Sequence, residues 1–399
     1  RRMLTDINGR QHAHSIPPPL IRPEIRAEMR EGADRLLSFT TVDNSALESR
    51  LSAMQLDLED YSGQMVGDMQ RWWLTRMAYT ARPLEERMTF IWHGLLTSQL
   101  SKVGPQRAKL MVIQNELFRA NALPKYDTLV KAVSKDAAMM EYLDTVESTK
   151  DHPNENYARE LMELFSLGVG NYTEKDVKEA ARAFSGWSLE RETGRFVFRR
   201  ALHDPGEKTV LGRTGRFDGD DVLDLLLARP ETAEFVVAKL WREFVSPEPD
   251  EREVKRIAAD FRRSGYRIKV ALAGLFSTDA FWAAGNRGVL VKSPVDLVVG
   301  TLVTLEVAPA DATPFALAIA GMGQNLFSPP NVKGWRGGDA WIDTNTLLLR
   351  CNAAGIVELH RFSLTQCYAA TPSSRAARTR SSNGSEMPIS RRWAAVLRT

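Results

Sequence analysis

Between Asn154 and Leu167 the apolar residues Tyr157, Ala158, Leu161, Met162, Leu164 and Phe165 fall on one arc when the chain is wound at about 100° per residue, and Glu155, Asn156, Arg159, Glu160 and Glu163 fall on the other. That separation predicts an amphipathic helix with a core face and a polar face. Pro153 suits its first turn, where a missing N–H has no intrahelical partner to lose, and Gly168 suits the left-handed position just past its end. After the linker GVGNY the same spacing returns. Thr173 can cap a second helix with Asp176 three residues on, Val177, Ala180, Ala181 and Phe184 repeat on one face, and Gly186 ends it. Helices joined by so short a linker form an antiparallel pair.

Helical spacing dominates the rest of the chain. A helix is expected to open at Pro23 and run through Leu37, Asp43 or Asn44 can cap the next, and Trp72 and Trp73 sit in a further helical stretch that ends before Pro83. From Pro83 to about Ser101 the stripe Leu84, Met88, Ile91, Trp92 and Leu95 predicts a core helix. Further helices are expected at 105–121, 125–133, 135–147, 219–228, 231–245, 251–263, 267–277, 294–307 and 343–355, the last with Asp343 as its N-cap. Residues 1–20, with Pro17, Pro18 and Pro19 in succession, read as loop. One segment breaks the helical period. Phe196, Phe198 and Val210 flank Asp204, Pro205, Gly206 and Glu207, which predicts a β-hairpin closed by a type II turn with Gly206 at positive φ. The fold class read from this pattern is mostly α, a multi-helix globular array with a small inserted β-hairpin near residues 195–211. The expected organisation is a partial N-terminal helical region at 1–60, a helical domain at 61–355 and a disordered basic tail at 356–399.

Composition narrows the class. The hydrophobic share of 43% and charged share of 26% are ordinary for a globular protein, and no apolar run reaches the length of about 20 residues that crosses a bilayer, so no transmembrane segment is expected. Cys351 and Cys367 are the only cysteines, too few for a disulfide scaffold or an all-thiolate zinc site. The net charge of +3 conceals a division: residues 360–399 hold seven Arg against one Glu, a contribution of +6, which leaves −3 for the body. A nucleic-acid binder by composition would carry its charge on a folded face. Here it sits in a Ser-, Thr- and Ala-rich segment with the character of a solvated tail, so no nucleic-acid partner is expected.

Candidate chemistry lies in four places. Glu155, Arg159 and Glu163 follow one another at i, i+4 spacing with Glu160 beside them, which describes either a solvated face laced with ion pairs or a buried polar site. His93 points away from the core stripe of its own helix, toward water or toward an internal cleft where it could serve as acid, base or ligand. His203, Asp204 and Lys208 gather a base, a carboxylate and an ammonium around the expected turn; alternatively Asp204 satisfies turn amides and Lys208 is solvated. Between Phe327 and Asp343, Trp335 and Trp341 are interleaved with Asn331, Lys333, Arg336 and Asp339 among glycines and prolines, a built loop that could stack on a sugar ring, anchor a partner or seal a core. No P-loop, dinucleotide-binding glycine motif, HExxH or Gly-x-Ser-x-Gly is present, which disfavours the common nucleotide-binding and hydrolase classes.

The phrases PNENYARELMELFSLG and DVKEAARAFSGW, then HDPGEKTVLG at 203–212, VKSPVDLVVG at 291–300 and SPPNVKGWRGGDAWIDT at 328–344, occur in one order that resembles the bacterial family called domain of unknown function 1800. The resemblance is legible over roughly residues 70–352, after which the chain departs from the family's pattern. It implies a mostly helical bacterial protein often found beside an exported partner protein, and the family's name records no activity. The chain begins at Arg1, so any export signal is expected upstream, with a periplasmic or exported location. The leading expectation is a binding or assembly protein that works with an exported partner through the 195–211 segment and the Trp loop, with Arg159, Lys208, Asn331, Trp335 and Trp341 as contact residues. The alternative is a hydrolase with an acid–base or metal site formed by His93, Glu155, Glu160, His203 and Asp204. The sequence assigns no cofactor, metal or oligomeric state.

Overall fold

Prolines and capping side chains set the helix boundaries seen in the structure, a computed structural model that describes residues 31–35, 37–38, 42–54, 63–191, 193–307, 309 and 311–369. The expected loop at 1–20, the start of the Pro23 helix and most of the basic tail lie outside the described residues. Pro83 opens the helix Pro83–Leu95 from its first turn, and Pro230 and Pro294 do the same for Pro230–Phe244 and Pro294–Thr304. The capping box read at Thr173 forms: its hydroxyl accepts from the Asp176 amide, and the Asp176 carboxylate accepts in return from the Thr173 amide. Asp343 accepts from the amides of Asn345 and Thr346 and so caps Thr344–Ala369, a helix longer than the expected 343–355.

The helices close on one contiguous core that includes Leu47 and Leu51 near one end and Ala353 and Val357 near the other. Trp73, Trp92, Trp187 and Trp241 are fully buried within it, and burial of each large apolar side chain contributes about 1.5–3 kcal/mol. Among the described residues no helix is long and apolar enough to cross a membrane.

Three elements differ from the pattern read along the chain. The stretch 154–167 is α-helical only over Asn156–Glu160 and then widens into a π turn, Leu161–Ser166. There the amides of Leu167 and Gly168 both donate to the Met162 carbonyl, while the Ser166 hydroxyl takes the Leu161 carbonyl at 2.6 Å. The core helix opened by Pro83 stops at Leu95 instead of continuing to Ser101, because the Thr97 hydroxyl takes the Gly94 carbonyl and the Leu100 amide turns to Phe327 O. A helix at Thr313–Gly321, TPFALAIAG, has no counterpart in the sequence reading, since a run of small and apolar residues without a polar stripe carries little helical periodicity.

The inserted β structure is in the expected region but is paired differently. Strand Phe196–Phe198 pairs back onto Trp187–Leu189, and strand Lys208–Val210 pairs forward onto Arg213–Gly215. The second pair is closed by Leu211 and Gly212, both at positive φ (50° and 75°), the geometry of a tight I′-type turn. The Asp204–Glu207 stretch therefore links two short hairpins and is not the tip of one, and Gly206 does not take the positive φ that a type II turn requires.

Candidate functional site

His93 leaves the Pro83–Leu95 helix on the face opposite Leu84 and Met88, yet that face too is covered. Its ring lies 5.0 Å from Trp73, 5.7 Å from Trp335, 5.8 Å from Phe327 and 6.3 Å from Phe118, centroid to centroid, and the residue is 1% exposed. Its Nε2 has no hydrogen-bond partner, and burial alone pushes the imidazole pKa down to about 3. The side chain faces neither water nor a carboxylate: it is a neutral imidazole in an aromatic enclosure, one wall of which is the Trp loop.

That loop is seated on the helix by a glycine. Gly334, at φ 74°, lies so close to the Gly94 carbonyl that a Cβ would sit 2.3 Å from its oxygen. The approach is prepared by Asn331, whose side chain accepts from the Lys333 amide while its carbonyl accepts from the Gly334 amide. Beyond it Trp335 stacks on Phe90 at 6.1 Å with rings 24° apart, and Lys333 reaches Glu163 on the π turn at 3.3 Å. Trp341 is buried at the far end of the loop.

Under the loop is a cleft of about 540 Å³. It is lined by the apolar side chains of Phe90, Ile91, Leu95 and Leu164, by residues of Pro230–Phe244 and of the irregular segment 289–293, and by the Trp loop with its Asp339. Arg87 at one end is neutralised by Asp296 and Glu243. Of the other cations, Lys333 is paired with Glu163, whereas Lys239, Arg242, Lys292 and Arg336 all line the cleft and form no ion pair with a described residue. The Lys239 pKa is lowered by burial and by Arg242 beside it, with Glu243 opposing, and the half-buried ammonium lies 5.3 Å over the Phe235 ring with no direct ion pair. Behind Lys292, Arg350 donates to its carbonyl at 2.8 Å and keeps a second buried guanidinium nitrogen, Nη1, without a partner.

The other sequence candidates are placed elsewhere. His203 Nδ1 lies 2.9 Å from the Ser185 carbonyl, and Asp204 pairs with Arg182 at 2.7 Å while accepting from the Gly206 amide, the Asx arrangement weighed as the alternative. Arg182 holds the Asp204 carboxyl below the usual carboxylate range. Lys208 is not solvated: it is 1% exposed, and its Nζ donates to the carbonyls of Asp204 and Gly206 at 2.6 and 3.0 Å, tying the linker from inside. Arg159 pairs with Glu155 and with Glu174 at the first turn of Glu174–Phe184, about 12 Å along that helix from Arg182 at 1.5 Å per residue. Glu160, half-buried, has its pKa raised by desolvation and by Glu163, against Lys333.

The structure thus brings His93 against Trp335, and brings the Trp loop against the Glu163 side of the 156–166 segment. It does not bring His203 and Asp204 to either; no side chain is shared between the contacts around His203 and those around His93. Among the described residues no group of three or more His, Cys, Asp or Glu side chains is placed to hold a metal ion. Lys239, Arg242 and Lys292 escaped the sequence reading. The first two are three residues apart on the polar face of an ordinary amphipathic helix, and only the folded loop sets them in one cleft with Arg336.

Comparison with known families agrees with the phrases read in the sequence. The family model described as protein of unknown function (DUF1800) matches residues 17–395, and the chain belongs to that family. The match runs past Asn352 nearly to the end of the chain, so the C-terminal departure expected from the phrases alone is not upheld. No curated protein and no solved structure matches the chain.

Proposed function

We propose that this DUF1800 member is a binding or assembly protein whose cleft beneath the Trp loop accepts an anionic part of a partner, the exported partner that the family resemblance implies. One observation carries the reading: Lys239, Arg242, Lys292 and Arg336 converge on one cleft without forming an ion pair, and with Arg87 and Lys333 they outnumber the carboxylates Glu243, Asp296 and Asp339 that share its lining, in a chain whose body outside the basic tail is net acidic. Focused positive potential in a low-dielectric cleft raises the local concentration of anions and speeds their capture. A bound carboxylate, sulfate or phosphate would supply the direct ion pair that Lys239 does not form within the chain. The surroundings of His93 also favour binding over acid–base work, since an imidazole with a pKa near 3 and no carboxylate against it stays neutral where such catalysts operate.

The test is a titration of the full chain with dextran sulfate, followed by tryptophan emission, because Trp335 and Trp341 line the cleft. An emission change that weakens with salt and is lost in Lys239→Glu/Arg242→Glu/Arg336→Glu is the expected result. An identical response from that variant would overturn the proposal, as would no response from either protein.

A further inference from the structure

The lining of the same cleft specifies more than charge, and we infer that its occupant is an extended peptide segment in which acidic and apolar side chains alternate. This rests on the anion-binding reading above and adds the class of ligand.

Three features carry it. First, the cleft is lined both by cations and by apolar side chains, Ile91, Leu95 and Leu164 among them, so a ligand filling it must offer apolar surface as well as negative charge. An extended chain does this with a period of two, because successive side chains point to opposite faces. Second, the backbone of Val289, Leu290 and Val291, which line the cleft, makes no hydrogen bond to any described residue, although the next carbonyl, Lys292 O, is taken by Arg350. Free backbone amides and carbonyls along a groove suit main-chain pairing with an added strand, the mode in which an extended peptide gains affinity from its backbone and specificity from alternate side chains. Third, neither tryptophan offers an open face to a sugar. Trp335 is stacked on Phe90 and backed by His93, and Trp341 is only 8% exposed. A free phosphate or sulfate would meet the cations but leave the apolar lining uncovered.

The decisive experiment is fluorescence anisotropy of a labelled peptide of alternating leucine and glutamate, added to the full chain. Binding is expected for this peptide and not for its leucine–glutamine counterpart. Lys239→Glu/Arg242→Glu is expected to weaken it by about tenfold or more, as for charge contacts desolvated at an interface. Arg336→Glu, on the exposed loop, provides an independent loss of affinity should the double variant fold poorly, and Arg263→Glu, on a helix away from the cleft, is expected to bind as wild type. N-methylation of alternate amides in the peptide is expected to weaken binding; unchanged affinity would overturn the backbone-pairing inference. If dextran sulfate binds in a manner lost in Lys239→Glu/Arg242→Glu while the peptide does not bind, the peptide inference fails and the anionic cleft stands. If neither probe responds to those substitutions, both fail.

Discussion

His93 and Asp136 are buried groups whose protonation pulls stability in opposite directions. The His93 pKa is depressed from 6.5 to about 3, so as the pH falls below 6.5 the unfolded chain takes up a proton that the folded chain refuses, and stability is lost toward acid. Asp136, which accepts from Gln114 Nε2 at 2.7 Å and from the Met139 amide at 3.0 Å, is raised by burial from 3.8 to about 6. The folded state therefore holds a proton that the unfolded state releases, and stability is lost as the pH rises from 3.8 toward about 6. Between those limits the slopes oppose one another, each up to about 1.4 kcal/mol per pH unit. Urea unfolding across that window is expected to show His93→Gln losing stability with rising pH relative to wild type, and Asp136→Asn gaining it. Parallel profiles for the two variants would contradict the assignment. The burial of His93 could not be read from its helix alone: the stripe of Leu84, Met88 and Ile91 defines one core face, and the second is created by Trp73, Phe327 and Trp335 from other parts of the chain.

The elements most faithful to the sequence are those whose ends are fixed by local chemistry. Thr173 with Asp176, Asp343 with its two amides, and the prolines at helix openings act within a few residues, so their geometry is legible without the fold. The β insertion is the contrary case. Strand Phe196–Phe198 can pair in either direction, and the choice depends on Trp187–Leu189 presenting a partner and on Leu211 accepting a left-handed conformation. The Trp loop depends on a contact between distant segments, Gly334 against the Gly94 carbonyl. Gly334→Ala combines positive φ with that close approach and is expected to undock the loop, costing more than about 1 kcal/mol of stability. Faster hydrogen exchange over 332–341 with the helical core unchanged would mark that undocking. Wild-type exchange and stability in Gly334→Ala would show that the glycine does not seat the loop.

At the scale of the molecule, the helical array brings Pro83–Leu95, Pro230–Phe244, the 289–293 segment and the Trp loop around one cleft, although they are scattered over more than half of the chain. Phrases of sequence revealed the family and two of these segments, VKSPVDLVVG and SPPNVKGWRGGDAWIDT, but not that their cations share a space with Lys239 and Arg242. The Arg-rich C-terminal tail is a rival cationic surface, with seven Arg against one Glu in residues 360–399, so binding of a polyanion must be located as well as detected. Hydrogen exchange of the full chain with and without dextran sulfate does both. Slowed exchange at residues 239–243, 289–293 and 332–341 is the result expected of a cleft that receives an anionic ligand; protection confined to residues 370–399, or none, would contradict it.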